Sequence, residues 1–181
     1  MTFWSAQARS ARPLFVLAPM ANVTDAAFRR VIARHGKPDV TFTQFVSCDG
    51  LCSPGRDALL PDLWFHESER PIVAQFFGAN PETFARCARL AAELGFDGID
   101  LNMGCPDKNV CKQGAGAALI AQPQRAREII SAAKEGAGAL PVSVKTRLGL
   151  DRIAFETWLP QVLEEGIAAL SVHLRTRAEM S

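Results

Sequence analysis

The run G-I-D-L-N-M-G-C-P-D-K-N-V-C-K-Q-G-A-G-A-A-L, from Gly98 to Leu119, is the densest stretch of chemically capable residues in the chain. An apolar stretch ends at Asn102, a Gly–Cys–Pro corner follows, and a polar, basic loop leads to Gly114 and Gly116. Cys105 on a turn after a buried strand is an accessible thiol, and Lys108 and Lys112 beside it would lower its pKa. A small apolar filler in a turn gives the same pattern. Gly114-x-Gly116 ahead of a helix suits a phosphate on free N–H groups, and equally suits close packing of helix on strand. In P-V-S-V-K-T-R-L-G, Lys145 is an ammonium at the end of an otherwise apolar strand. It is costly to bury there without an anion or polar ligand. Arg147 lies two residues on, on the same face; snorkelling to solvent at a rim is the alternative. His173 and Arg175 share a face in S-V-H-L-R-T-R. Gln75, in V-A-Q-F-F-G, is an amide inside an apolar strand. A buried amide must find partners, and a planar heterocycle with several hydrogen-bonding edges would supply them. Pro19, Met20 and Ala21, in L-A-P-M-A-N-V-T-D, offer backbone groups and a thioether to the face of a flat ring, although Met is also a common core residue.

The elements that must position these residues follow from hydrophobic periodicity. Apolar runs at 14–20, 40–46, 72–77, 98–103, 142–146 and 170–174 predict six strands. Helical spacing over 24–35, 81–94, 123–134 and 155–165 predicts helices between them. Asn80 is a candidate N-cap for the helix opening at Pro81, and Gly95 follows its last turn. The segment 47–70 reads as a long connection with a helical turn. Strands apolar throughout and separated by helices belong to a parallel sheet covered on both faces. No G-x-G-x-x-G follows the first strand to favour a dinucleotide fold. The polar residues, moreover, cluster at or just beyond strand C-termini, the catalytic face of a (β/α)8 barrel. The expectation is therefore an α/β chain, 1–181, forming a single incomplete TIM barrel. About six of the eight βα units are present, since a complete barrel takes about 250 residues.

Composition narrows the function classes. The 181 residues are 48% hydrophobic and 22% charged with a net charge of +1, which excludes a disordered chain and gives no overall basic signature for nucleic acid. No apolar run reaches the ~18 residues of a membrane span, and no apolar segment of a secretory leader stands at the start, so a cytoplasmic location is expected. Five cysteines, at 48, 52, 87, 105 and 111, are expected to be reduced. The Cys48/Cys52 spacing invites a metal reading, but no second pair or His partner is near in sequence, and no metal site is expected. Nothing in the sequence points to an obligate protein partner.

A-P-M-A-N-V-T-D-A-A-F-R-R, A-Q-F-F-G, D-G-I-D-L-N-M-G-C-P-D-K, G-A-G-A-A-L, P-V-S-V-K-T-R-L-G and H-L-R-T-R occur in the order seen in tRNA-dihydrouridine synthases. The chain resembles that family over almost its whole length. The resemblance implies an FMN-binding (β/α)8 barrel followed by a helical tRNA-binding domain, reducing the 5,6 double bond of uridine in tRNA with NADPH as reductant. On it, Cys105 matches the catalytic proton donor, a role that needs a thiol rather than a thiolate. Pro19, Met20 and Ala21 match the segment under the flavin, Gln75 and Lys145 its pyrimidine edge, and His173 a flavin contact. Asn102 and Arg147 would orient the uracil, with Lys108 and Arg175 on the RNA. The last βα units and the helical domain have no counterpart in the sequence, so the expectation is a portion of such an enzyme. The alternatives are another FMN barrel that reduces a free pyrimidine, in the dihydroorotate-dehydrogenase manner, and an inactive fragment.

Overall fold

The structure, a computed structural model, describes residues 2–7 and 12–180. Its elements run α1 (Phe3–Gln7), β1 (Val16–Leu17), α2 (Ala26–His35), β2 (Val40–Phe42), β3 (Val46–Ser47), α3 (Cys48–Leu51), α4 (Arg56–Leu59), β4 (Ile72–Phe77), α5 (Pro81–Glu93), β5 (Gly98–Met103), α6 (Lys108–Lys112), α7 (Pro123–Ala137), β6 (Val142–Gly149), α8 (Phe155–Leu163) and β7 (Ala169–Thr176). Short 3-10 segments occupy Leu60–Leu63, Glu67–Glu69 and Gly116–Ala121.

All strands are parallel, in the order β1-β2-β4-β5-β6-β7, with β3 pairing β4 beyond the end of β2. Each strand therefore lies beside its predecessor. A doubly wound sheet reverses direction at a switch point, whereas a barrel is wound singly. The winding makes this sheet part of a (β/α)8 barrel.

Side-chain alternation sorts the sheet into two faces. Ile72, Ala74 and Phe76 of β4, Ile99, Leu101 and Met103 of β5, and Val142 and Val144 of β6 join Phe84, Ala88 and Ala91 of α5 and Ile129, Ile130 and Ala133 of α7 in one buried cluster. Gly136 lets α5 and α7 touch, since a Cβ there would fall 2.1 Å from the Ala85 carbonyl oxygen. The other face carries Gln75, Asp100, Asn102, Ser143, Lys145 and Arg147, and it builds the site.

The element ends differ from the sequence expectation where backbone groups find other partners. The first predicted strand pairs only at Val16–Leu17, between Pro13 and Pro19. The second splits, because Gln44 turns aside to bond Asp62 and the Asn22 amide. The last two extend, to Gly149 and Thr176, because Arg147 and His173 stay in register beyond the apolar core. Helix α2 begins two residues later than its apolar spacing suggests, where the Asp25 carboxylate accepts from the Phe28 N–H. Asn80 caps α5 as expected, accepting from the Glu82 N–H, and Gly95 has φ of 79° after its last turn. The 47–70 connection holds α3, α4 and two 3-10 turns, tied to α2 by the buried Arg29–Glu69 pair at 2.7 Å.

Candidate active site

Parallel register converts three sequence motifs into rows across the concave face. Gln75 stands beside Asp100 and Asp100 beside Ser143. One layer toward the strand ends, Asn102 stands beside Lys145 and Lys145 beside Ser171. Arg147 beside His173 forms the next. A cleft of about 560 Å³ opens over these rows at the C-terminal ends of the strands, walled by the segment from Ala18 to Ala21 and by Phe45, with Cys105 at its rim. Pro19, Met20, Ala21, Asn102, Cys105, Lys145, Arg147 and His173 all line it. Gln75, Lys108 and Arg175 do not.

Gln75 is fully buried beneath the cleft floor, and its amide finds protein partners. Its Nε2 donates to Asp100 Oδ2 at 2.6 Å, and its Oε1 accepts from Asn102 Nδ2 at 3.2 Å. Asn102 Oδ1 in turn accepts from the N–H groups of Gly104 at 3.1 Å and Cys105 at 2.9 Å. The Ser143 hydroxyl donates to Asp100 Oδ1 at 2.5 Å. Backbone N–H groups at one end and a carboxylate at the other leave both amides a single orientation. Hydrogen bonds therefore run in one direction, from the cysteine corner through Asn102 and Gln75 to Asp100. Burial pushes the Asp100 carboxyl up to about 6, against the hydrogen bonds from Ser143 and Gln75 and the charge of Lys145.

The corner itself is held from three sides. Arg147 Nε donates to the Gly104 carbonyl at 2.7 Å, and its Nη1 to the carbonyls of Thr176 at 3.1 Å and Met180 at 2.8 Å. The Cys105 carbonyl accepts from the Ala117 N–H at 2.9 Å and from Cys111 Sγ at 3.5 Å. Gly116, at φ 59°, packs so closely that a Cβ would stand 2.8 Å from the Cys105 oxygen. Of the two readings of Gly114-x-Gly116, close packing is the one realised: the Ala117 amide is spent on the corner.

Charge around the thiol differs from the expectation that nearby lysines acidify it. Lys108 and Lys112 lie exposed on α6, and burial of Cys105, helped by the Asp107 carboxylate, raises its pKa against the pull of the Asp107 N–H and Arg147. Burial therefore favours the thiol over the thiolate. Burial lowers the Lys145 pKa, with Asp100 opposing and Arg147 assisting. Among the described residues the Lys145 ammonium has no hydrogen-bond acceptor. His173 is pushed toward its neutral form by burial and by the cations Arg147, Lys145 and Arg175.

Sequence reasoning missed Asp100, Cys111 and Phe45. The Asp100/Asn102 spacing of two, which puts both on one face of a strand, was the available signal for the first. Cys111 and Phe45, which stacks edge-on against Phe77 at 5.5 Å, gave none. Among the described residues no three His, Cys, Asp or Glu side chains are arranged to hold a metal ion, and no helix is long and apolar enough to cross a membrane.

A singly wound parallel sheet with its polar rows under a cleft at the strand C-termini places the chain among β/α-barrel proteins. It superposes on morphinone reductase, solved in complex with tetrahydroNAD, with a TM-score of 0.54 at 10% identity, over 90% of this chain and 70% of that one; the likeness is one of fold. Residues 16–181 match the family model of dihydrouridine synthase. The chain is 52% identical over 172 residues to a probable tRNA-dihydrouridine synthase 2 of Bacillus subtilis, and 50% identical over 181 residues to a probable tRNA-dihydrouridine synthase of Staphylococcus aureus. These alignments cover 94% and 99% of this chain but 52% and 54% of the relatives, so the chain spans about half their length. It belongs to the dihydrouridine synthase family.

Proposed function

We propose that this chain is the catalytic half of a flavin-dependent tRNA-dihydrouridine synthase, in which Cys105 protonates C5 of a uridine. The observation that carries the reading is the place of Cys105 at the rim of the cleft, its corner fixed by hydrogen bonds on both sides, where burial favours its protonated form. A general acid needs its proton at the operating pH, and burial keeps it there.

The residues suit a flavin mononucleotide. Lys145 presents an ammonium with no acceptor of its own to the cleft, as the electron-rich pyrimidine edge of a flavin requires. The Pro19–Met20–Ala21 segment, with Met20 exposed, supplies a flat apolar wall. His173, pushed toward its neutral form, would contact the ring without adding charge, and Gln75 would brace the floor beneath the pyrimidine edge through Asp100 and Asn102. Such a flavin, reduced by NADPH, would supply the hydride equivalent for C6 of uracil. Uracil would occupy the remaining space of the cleft, between Asn102, Arg147 and Cys105, with the thiol delivering the proton to C5, next to C6, from the other face of the ring. An extruded nucleotide reaches such a cleft by base flipping. Lys108 and Arg175, exposed outside the cleft, hold RNA phosphates. A tRNA substrate would make the cytoplasm the place of action.

Cys105→Ala in the full-length enzyme tests the reading. Flavin binding and flavin reduction by NADPH should be unchanged, while dihydrouridine formation in tRNA slows ~10²–10⁴-fold, the usual cost of a positioned acid. Undiminished turnover would remove Cys105 from the mechanism.

A further inference from the structure

On the outer helical layer, away from the cleft, the fold gathers three thiols that are far apart in sequence. Cys48 opens α3 and Cys52 caps its end, one turn apart. Cys87 lies on α5, and its Sγ is 3.7 Å from the Cys48 carbonyl oxygen, the same oxygen that accepts the Cys52 N–H at 3.0 Å. Cys52 Sγ sits 4.0 Å from the Thr83 carbonyl, one turn before Cys87. Cys52 and Cys87 both face a small pocket of about 170 Å³, which shares no residue with the cleft. Its rim carries Arg56, Arg86 and Arg89, with Glu93 as the single acid. Among the described residues none of the three arginines has an ion-pair partner.

We propose that Cys87 and Cys52 form a peroxide-sensitive thiol pair that closes reversibly into a disulfide between α3 and α5. Thiolate character follows positive surroundings and donated hydrogen bonds. The Cys87 thiol donates to the Cys48 carbonyl and the Cys52 thiol to the Thr83 carbonyl. The neighbouring Cys48 and Cys52 thiols and the Arg86 guanidinium hold the Cys87 pKa below its usual value against its burial, whereas burial raises that of Cys48 and Cys52. The pocket, about 170 Å³, is large enough to hold a peroxide against Cys52 and the largely buried Cys87. The Cys87 sulfur attacks one oxygen of hydrogen peroxide, the O–O bond breaks, and the departing hydroxide takes up the proton that Cys87 gave up, leaving a sulfenic acid and water. Cys52 then attacks the Cys87 sulfur; its thiol proton leaves with the sulfenic hydroxyl as a second water. Two thiols lose two electrons, one peroxide becomes two waters, and the S–S bond forms between two sulfurs that face the same pocket. Cys48, the most buried of the three, restrains Cys87 and is not consumed. None of these steps uses a residue of the cleft, so the proposal stands or falls separately from the assigned reaction.

The test is peptide mapping of the reduced chain after brief exposure to hydrogen peroxide, with free thiols alkylated. A Cys52–Cys87 cross-link that dithiothreitol reverses is expected, and Cys105→Ala should form it equally well. Cys52→Ser should stop at a Cys87 sulfenic acid, trapped by dimedone. Arg86→Met should slow the reaction severalfold, because it removes a cation that favours the Cys87 thiolate. A map in which peroxide leaves Cys52 and Cys87 unlinked, or links Cys48 instead, overturns the proposal on the parent chain without recourse to any variant.

Discussion

Asn102→Asp is nearly isosteric, yet the one-way chain of hydrogen bonds beneath the cleft forbids it at neutral pH. The new Oδ1 still accepts from Gly104 and Cys105, as the asparagine does. The new Oδ2, where an amide nitrogen stood, meets the Gln75 Oε1 that formerly accepted from it at 3.2 Å. Turning the Gln75 amide only moves the conflict to Asp100 Oδ2, which lies 2.6 Å from the other end of that amide. One proton resolves the clash: a protonated carboxyl at position 102 donates to Gln75 and restores the original direction. The folded state therefore raises the pKa of this carboxyl above its unfolded value of ~3.9. The neighbouring Asp100, with two donors to help it, is already raised from 3.8 to about 6, a difference of about 3 kcal/mol. The introduced carboxyl keeps the Gly104 and Cys105 donors but meets an acceptor on its other side, so a penalty of similar order applies. A group whose folded pKa is raised contributes stability below its unfolded pKa and loses it as pH rises. Urea unfolding of parent and variant at pH 5 and pH 7.5 reads the effect directly. The variant should fall behind by about 3 kcal/mol at pH 7.5, a midpoint shift of about 1–2 M for a slope typical of this size, and the gap should narrow at pH 5. An equal gap at both pH values, or none, would refute the assigned direction of the relay.

Asp100→Asn should keep the relay, because a rotated Ser143 hydroxyl can accept from the new amide and donate to the Ile99 carbonyl, 3.2 Å away. It removes the raised carboxyl, so the variant should gain on the parent as pH rises from 4 to 7, by up to about 3 kcal/mol at the top of that window; a pH-independent difference would show that Asp100 does not titrate there. Lys145→Met, in the full-length enzyme, keeps the apolar stem and deletes the charge, so FMN should bind more weakly and the flavin midpoint potential should fall, as redox titration would show; an unchanged potential places the cation elsewhere. Gly116→Ala should loosen the cysteine corner, since its Cβ would stand 2.8 Å from the Cys105 oxygen at a positive φ. Faster alkylation of Cys105 than in the parent is the expected readout, and an unchanged rate would count against the corner's dependence on that contact.

Local patterning determined the alternation of apolar strands and helices, the capped start of α5 at Asn80 and the positions of the polar residues at strand ends. Those features depend on neighbours within a turn or two of chain, where periodicity and capping chemistry operate. The barrel winding was inferred from the polar residues at strand C-termini, and the consecutive strand order bears that inference out. What only the tertiary structure decided are relations across strands and between layers. Gln75 reads in sequence as an amide awaiting a ligand, but the register of β4 on β5 puts Asp100 and Asn102 on either side of it. Cys105 reads as a thiol acidified by Lys108 and Lys112, yet the short helix α6 carries both lysines out to solvent while the corner buries the sulfur. Cys48, Cys52 and Cys87 are a spaced pair and a remote single residue until α3 packs against α5. Sequence spacing reports which residues share a face of one element; which elements face each other is fixed by burial of apolar area over the whole sheet, a sum to which no local motif has access.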